Sequence, residues 1–292
     1  MSVQVNQFPA CSGRSAQVSG GAVVALASLI GLTGFLYPFL LPALSQGTND
    51  DAQRQAHATD APLLFAALTA CCLLAIVVTL SQRQWQRGEA ARSVALLGAM
   101  VSLDAALRLV PSFLGATPIF LLIILGGAVF GATFGFQMGA LTLLVSAFLT
   151  GGIGPWLPYQ MLGAGWVGMT AGWLPHPASR RRRLLIIALF AALWGFLFGA
   201  LLNLWFWPYT APGSEGNALA WAPGLSTMET LRRYLSFYVT TSLAFDAFRA
   251  AGNATLVLVL GGPLLAVLDR FKSRFGWEPF EVVEPGQAPV RA

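Results

Sequence analysis

The sequence has little charge. Of its 292 residues only 10% are Asp, Glu, Lys or Arg, and Lys272 is the single lysine; ordinary globular chains carry roughly a quarter. With 56% hydrophobic residues, that shortage excludes one large or two small soluble domains and points to an integral membrane protein. The three cysteines, Cys11, Cys71 and Cys72, give neither a metal-ligand spacing nor a disulfide framework. Cys71 and Cys72 are adjacent inside an apolar run and read as small packing residues. Cys11 follows no hydrophobic signal segment, which speaks against a lipoprotein. No G-x-x-x-x-G-K-[ST] loop is present, so Walker-type ATP hydrolysis is excluded, and no H-E-x-x-H occurs. The two histidines, His57 and His176, fall in predicted loops on opposite sides, and no nucleophile–base constellation stands within one span. The net charge of +5 does not indicate nucleic acid, because no basic groove sequence joins the aromatic residues.

Apolar spans fill the chain instead. A membrane helix takes about 20 apolar residues, and eight stretches qualify, near 20–44, 61–81, 91–112, 117–135, 137–152, 155–175, 184–207 and 243–270. The first is too long for a signal peptide and no cleavage site follows it. The fifth is short and runs into Gly151, Gly152 and Gly154. Residues 226–241 read as an outer or interfacial segment leading into the last span. Basic residues set orientation. Placing Arg14, the loop with Arg83, Arg87 and Arg92, the run Arg180 to Arg183, and Arg270, Lys272, Arg274 and Arg291 in the cytoplasm puts twelve of the seventeen bases inside. Both termini are then cytoplasmic. The arginine run reads as a topology marker, with a lipid-binding patch as the other reading. The expected fold is all-α and polytopic, with eight spans. Residues 1–81 form a two-helix transmembrane hairpin with a polar outer loop at 46–60. Residues 82–275 form a six-helix core holding everything polar inside the bilayer, and 276–292, with Pro279, Pro285 and Pro289, a disordered tail.

Within the core, small residues recur every four positions: Ala91, Ala95 and Ala99; Gly127, Gly131, Gly135 and Gly139; Ala164, Gly168 and Gly172. Such stripes lie on one helix face and let backbones approach closely in lipid. The glycine series reads as internal packing; the alanine series reads as internal packing or a docking face. Asp104 and Arg108 are four apart on the third span and can pair, and Asp246, Arg249 and Asn253 share a face of the last. Ionisable groups in a membrane are costly and turn to the bundle interior, a cavity or each other. All four charges fall in the predicted outer half, as a buried ionic lock or as a polar pocket open to the outside. The outer loops (Pro111 to Pro118, Thr150 to Gln160, and Trp205 to Tyr209) gather Trp156, Tyr159, Trp205, Trp207, Tyr209 and Trp221 at one interface. An interfacial belt accounts for much of that, but the Gly-Gly-x-Gly-Pro at 151–155 suits backbone lining a cavity. Trp156, Tyr159 and Gln160 are therefore candidate ligand contacts.

The stretch PIFLLIILGGAVFGATFGFQMGALTLLVSAFLTGGIGPWLPYQMLGAGWVGMTAGWLP (118–175) and FDAFRAAGNATLVLVLGGPLL (245–265) resemble the substrate-binding S components of energy-coupling factor (ECF) transporters. The likeness covers about 91–272. It implies a six-helix, vitamin-binding protein of the bacterial plasma membrane whose outer loops close over the ligand. It also implies a transmembrane coupling subunit and two cytoplasmic ATPases as partners, so that this chain is no enzyme and needs no cofactor or metal. Substrate contacts would come from Asp104, Arg108, Trp156, Tyr159, Gln160, Asp246, Arg249 and Asn253. Ala91, Ala95 and Ala99 stand where the family carries an A-x-x-x-A motif for docking on the coupling subunit. The unmatched hairpin is a departure, and would crowd that face if it packed there. Family ligands include riboflavin, thiamin, folate, biotin, pantothenate and cobalamin, with cobalamin the first candidate here. The rival expectations are a membrane-embedded enzyme using Asp104 and Asp246, and a structural assembly subunit without a ligand.

Overall fold

A computed structural model of the chain describes residues 20–44, 50–87, 90–112, 116–210, 219–222 and 225–274. Among them are nine helices: α1 (Gly20–Leu44), α2 (Asp50–Arg87), α3 (Ala90–Leu107), α4 (Ile119–Phe130), α5 (Ala132–Thr150), α6 (Leu157–Ala171), α7 (Arg180–Thr210), α8 (Thr227–Thr241) and α9 (Leu243–Arg274). Five of them, α1, α2, α5, α7 and α9, contain stretches long and apolar enough to cross a membrane. The chain is an all-helical, multi-pass membrane protein. The predicted disordered tail and Cys11 lie outside the described residues.

Two helices depart from the span pattern. Helix α2 starts at Asp50, so most of the predicted outer loop, His57 included, is helical; DDAQRQAHATD holds three Ala and two Gln, which favour a helix. At its other end α2 continues to Arg87, three residues short of α3. Helix α4 has only twelve residues, all of them buried; at 1.5 Å per residue it is roughly 18 Å long, short of a full crossing. A helix apolar on every side belongs in a core, and α4 is the hub of this one, packed against α5, α6 and α9 and touching α3 and α7.

Glycine explains how α4 is built in. Gly131 adopts φ 96° and ψ 173°, a backbone that side chains disfavour, and that single residue separates α4 from α5. The predicted glycine stripe is therefore broken at Gly131, but its members still converge. A Cβ at Gly127 or Gly135 would run into the carbonyl of Gly168, and one at Gly139 into that of Ala164. The end of α4 is closed from other elements: the His176 ring donates to the Ala128 carbonyl and the Lys272 ammonium to the Val129 carbonyl, both at 2.8 Å, where a helix C-terminus favours donors and positive charge.

The hairpin α1–α2 packs onto the core. Gly31 lies against Leu162, and Phe35 and Cys72 are fully buried. Polar groups cross the seam too: Trp166 donates to the Ser28 hydroxyl at 2.9 Å and the Gln137 amide to the Thr79 hydroxyl at 2.6 Å. Intramembrane polarity therefore extends into the hairpin, against the expectation that the core holds all of it.

Candidate functional site

Helices α7 and α9 run antiparallel along a seam of small residues. Gly195 faces Ala250 and Gly199 faces the carboxylate of Asp246; glycine at both positions lets the polar face of α9 sit against α7. Along that seam, Asp246 pairs with Arg249 one turn away and accepts from the Tyr238 hydroxyl at 2.9 Å. The Arg249 guanidinium also donates to the Gly195 carbonyl at 3.3 Å and lies 5.9 Å over the centre of the Phe198 ring. Asn253 donates to the Ala191 carbonyl at 3.5 Å, and its side-chain carbonyl has no partner. Toward the other end of the seam the Asn203 amide donates to the Ser242 hydroxyl at 2.6 Å.

Helix α8 closes over this end. Ser226 caps it, accepting from the Glu229 N–H at 3.2 Å, as the S-x-x-E spelling of a capping box leads one to expect. Arg233 bonds to Glu229 at 2.9 Å, and that hydrogen bond lowers the Glu229 carboxyl below its ordinary range. On the inner face, Tyr234 donates to the Ala200 carbonyl and Tyr238 to Asp246. Two tyrosines one turn apart thus latch α8 to α7 and α9. The predicted outer segment at 226–241 corresponds to this helix; the latch itself was not legible, though the i, i+4 spacing of Tyr234 and Tyr238 on an amphipathic segment was its only signal.

Asp104 and Arg108 lie elsewhere. Both face α5 rather than each other: Arg108 donates to the Ser146 hydroxyl at 2.9 Å. Asp104 is fully buried beside Thr142, and neither of its carboxyl oxygens completes a hydrogen bond. Spacing of four makes two residues neighbours on a helix surface, but Arg108 turns to the Ser146 hydroxyl of α5, and the pair does not form. The α3–α5 flank and the α7–α9 flank both pack on α4, without substantial contact between them. The structure therefore holds two separate polar loci. The two carboxylates required by the enzyme reading sit in different ones.

Of the predicted loop from Thr150 to Gln160, Thr150 belongs to α5 and Leu157 to Gln160 to α6; the turn between them is held by its own backbone. Gly151 takes the left-handed conformation (φ 66°) and ends α5, the usual role of glycine after a helix. The Trp156 indole donates to the Gly152 carbonyl at 3.1 Å and folds back on Gly154, leaving the ring exposed. Tyr159 is buried toward the hairpin, stacked on Trp205 at 4.6 Å and edge-on to Phe35 at 4.9 Å. Gln160 differs. Its side-chain carbonyl is buried with no partner, and it stands one turn before Gly163, which meets the Phe198 ring. Phe198 in turn packs edge-on against Phe120 of α4 at 4.8 Å. Phe198 thus joins Phe120 of α4, Gly163 of α6 and Arg249 of α9, and Gln160 stands one turn from that junction on α6. Among the aromatic belt, Trp207 is fully buried against Tyr234, whereas the Tyr209 side chain lies outside the described residues.

Three small-residue positions were candidates for coupling. Ala91, Ala95 and Ala99 are all exposed on α3, and a Cβ at Gly98 beside them would meet nothing within 4 Å. Among the described residues the hairpin leaves that face uncovered. No group of three or more potential metal ligands occurs among the described residues.

A family model described as ECF transporter, substrate-specific component matches residues 93–261, which run from the first turn of α3 to the second half of α9. Comparisons with curated proteins and with solved structures gave no match.

Proposed function

Because the chain belongs to the family of substrate-specific components of ECF transporters, we propose that it binds a vitamin-like micronutrient at the outer face of a bacterial plasma membrane. Transport is then driven by a transmembrane coupling subunit and two ATPases, on other chains. The observation that carries the site is the Arg249 guanidinium, held by Asp246 on one side and laid over Phe198 on the other. A cation aimed across an aromatic ring suits a ligand with an anionic group and a planar body. Gln160 and Asn253, each with an open side-chain carbonyl, supply acceptors for its donors. Asp246 is already saturated by Arg249 and Tyr238, so it acts as a positioning residue that fixes Arg249. Trp156 acts from the loop, and Tyr159, in the first turn of α6, acts through its stack on Trp205. The exposed Ala91, Ala95 and Ala99 face is the docking surface for the coupling subunit, since no other element among the described residues covers it.

The saturation of Asp246 favours one second reading, a purely structural lock between α7, α8 and α9. Mass spectrometry of small molecules co-purified with the isolated chain identifies the ligand, and binding of that molecule to Arg249→Gln separates the readings. Loss of a hydrogen bond to a charged group costs about 1.5–3 kcal/mol, so affinity should fall roughly 10- to 150-fold while the protein stays folded. Unchanged affinity in a folded variant establishes the lock. Concentrative uptake by the chain alone, without the coupling subunit and ATPases, would overturn the transporter assignment itself.

A further inference from the structure

The best-supplied feature left unused by the ligand site lies at the opposite end of the α7–α9 pair. Arg180 to Arg183 open α7, and Arg270, Lys272 and Arg274 close α9. The antiparallel packing brings these runs together: Arg183 bonds to Asp269 at 2.7 Å, and the Arg180 guanidinium reaches the position where a Cβ on Gly262 would stand, at 3.4 Å. Internal partners use part of this charge. Arg183 is held by Asp269 and Lys272 by the Val129 carbonyl. Arg180, Arg181, Arg182, Arg270 and Arg274 remain exposed, with no acidic partner among the described residues. A topology marker needs only positive charge in a loop. It does not need that charge gathered on two packed helices.

Each run also ends an exposed apolar stripe. On α7, Leu185, Leu189 and Leu193 follow Arg181 and Arg182 at helical spacing and are exposed; on α9, Val267 and Phe271 precede Arg270 and Arg274 and are exposed as well. Exposed apolar side chains thus adjoin the cationic cap on both helices. That is the complement of a molecule with acyl chains and an anionic head, and basic clusters between helices at the cytoplasmic interface suit such heads. We propose that this cap is a binding site for the phosphate headgroup of an anionic phospholipid, whose chains lie along these apolar side chains. Arg180, Arg181 and Arg182 supply most of the contact. The site is independent of the ligand pocket.

The test is native mass spectrometry of the full chain in neutral detergent, titrated with dioleoylphosphatidylglycerol or dioleoylphosphatidylcholine. Retention of the anionic lipid should exceed that of the zwitterionic one by at least roughly tenfold, given about fivefold per basic residue at a membrane surface. The triple variant Arg180→Gln, Arg181→Gln, Arg182→Gln should lose that preference, and Arg270→Gln with Arg274→Gln should reduce it. Equal retention of the two lipids by the unaltered chain overturns the proposal, as does a preference that survives in the folded triple variant. Displacement of the lipid by millimolar inorganic phosphate would make this a free-anion site and overturn it too. The chain beyond Arg274 carries Glu278, Glu281 and Glu284. If the preference emerges only after all three become Gln, the acidic segment, not lipid, is the occupant.

Discussion

Along α3, Ala91, Ala95 and Ala99 face outward, and a side chain built at Gly98 meets no atom within 4 Å. Along α5, Gly135 and Gly139 recur at the same four-residue spacing, yet side chains there would strike the carbonyls of Gly168 and Ala164 on α6. Equal periodicity thus carries opposite roles. In lipid no hydrophobic force draws helices together, so close packing of small surfaces is what holds them. A stripe already used in that way has no free surface, and a stripe left bare keeps its whole surface open. The identity of the residue follows the difference. Backbone-to-backbone approach requires glycine, whereas alanine stands where no neighbour among the described residues comes close.

The sharpest way to break this comparison is a bulky residue in the closed stripe. Gly168→Leu places a side chain against the carbonyl of Gly135, where only backbone could yield. Overpacking usually costs about 1–3 kcal/mol and sometimes more; with no flexible neighbour to move, the effect should reach or exceed the upper end of that range. The variant should fail to give a monodisperse protein, and a normal melting temperature in detergent would show that α5 and α6 do not pack as described. A milder matched pair asks the same of one methyl group. Gly139→Ala should lower the melting temperature, because its Cβ meets the Ala164 carbonyl. Gly98→Ala should leave it unchanged or raise it, since alanine is favoured over glycine by about 1 kcal/mol inside a helix. Shifts of the same sign in both would erase the distinction.

What the sequence made legible has the same logic. Apolar length located the helices, and the positions of α1, α3, α7 and α9 follow it closely. Pattern did not show that Gly131 breaks the chain between α4 and α5, because a glycine inside a run of small residues reads as one more packing position until its φ of 96° is known. Nor did spacing show the choice made by Arg108. A partner four residues away competes with a hydroxyl on another helix, and Ser146 is the one it bonds. Thr79 and Ser28 gave no signal, since a hydroxyl in an apolar run satisfies its own backbone as often as a neighbour; only their tertiary donors, Gln137 and Trp166, reveal them. Of the residues expected at the ligand site, Asp246, Arg249 and Asn253 share one seam as their spacing on a single helix required. Gln160 stands on another helix, α6, and Asp104 and Arg108 lie on the α3–α5 flank.

The smallest effect on the isolated protein should come from the open stripe, and it is the most informative. Ala95→Trp adds a large ring to an exposed face of α3, so neither the core nor the Arg249 region is disturbed. Melting temperature and ligand affinity should stay near their original values, because surface substitutions away from packed features usually change stability by no more than about 0.5 kcal/mol. Assembly with the coupling subunit is a different matter. A ring on a face that must approach another helix closely holds the two backbones apart, so co-purification of the complex and partner-dependent uptake should both fall. A loss of stability and assembly together would mean that the stripe packs within the chain after all, as its glycine counterpart does. A variant that assembles normally would move the docking surface to another helix and leave the bare alanines facing lipid alone.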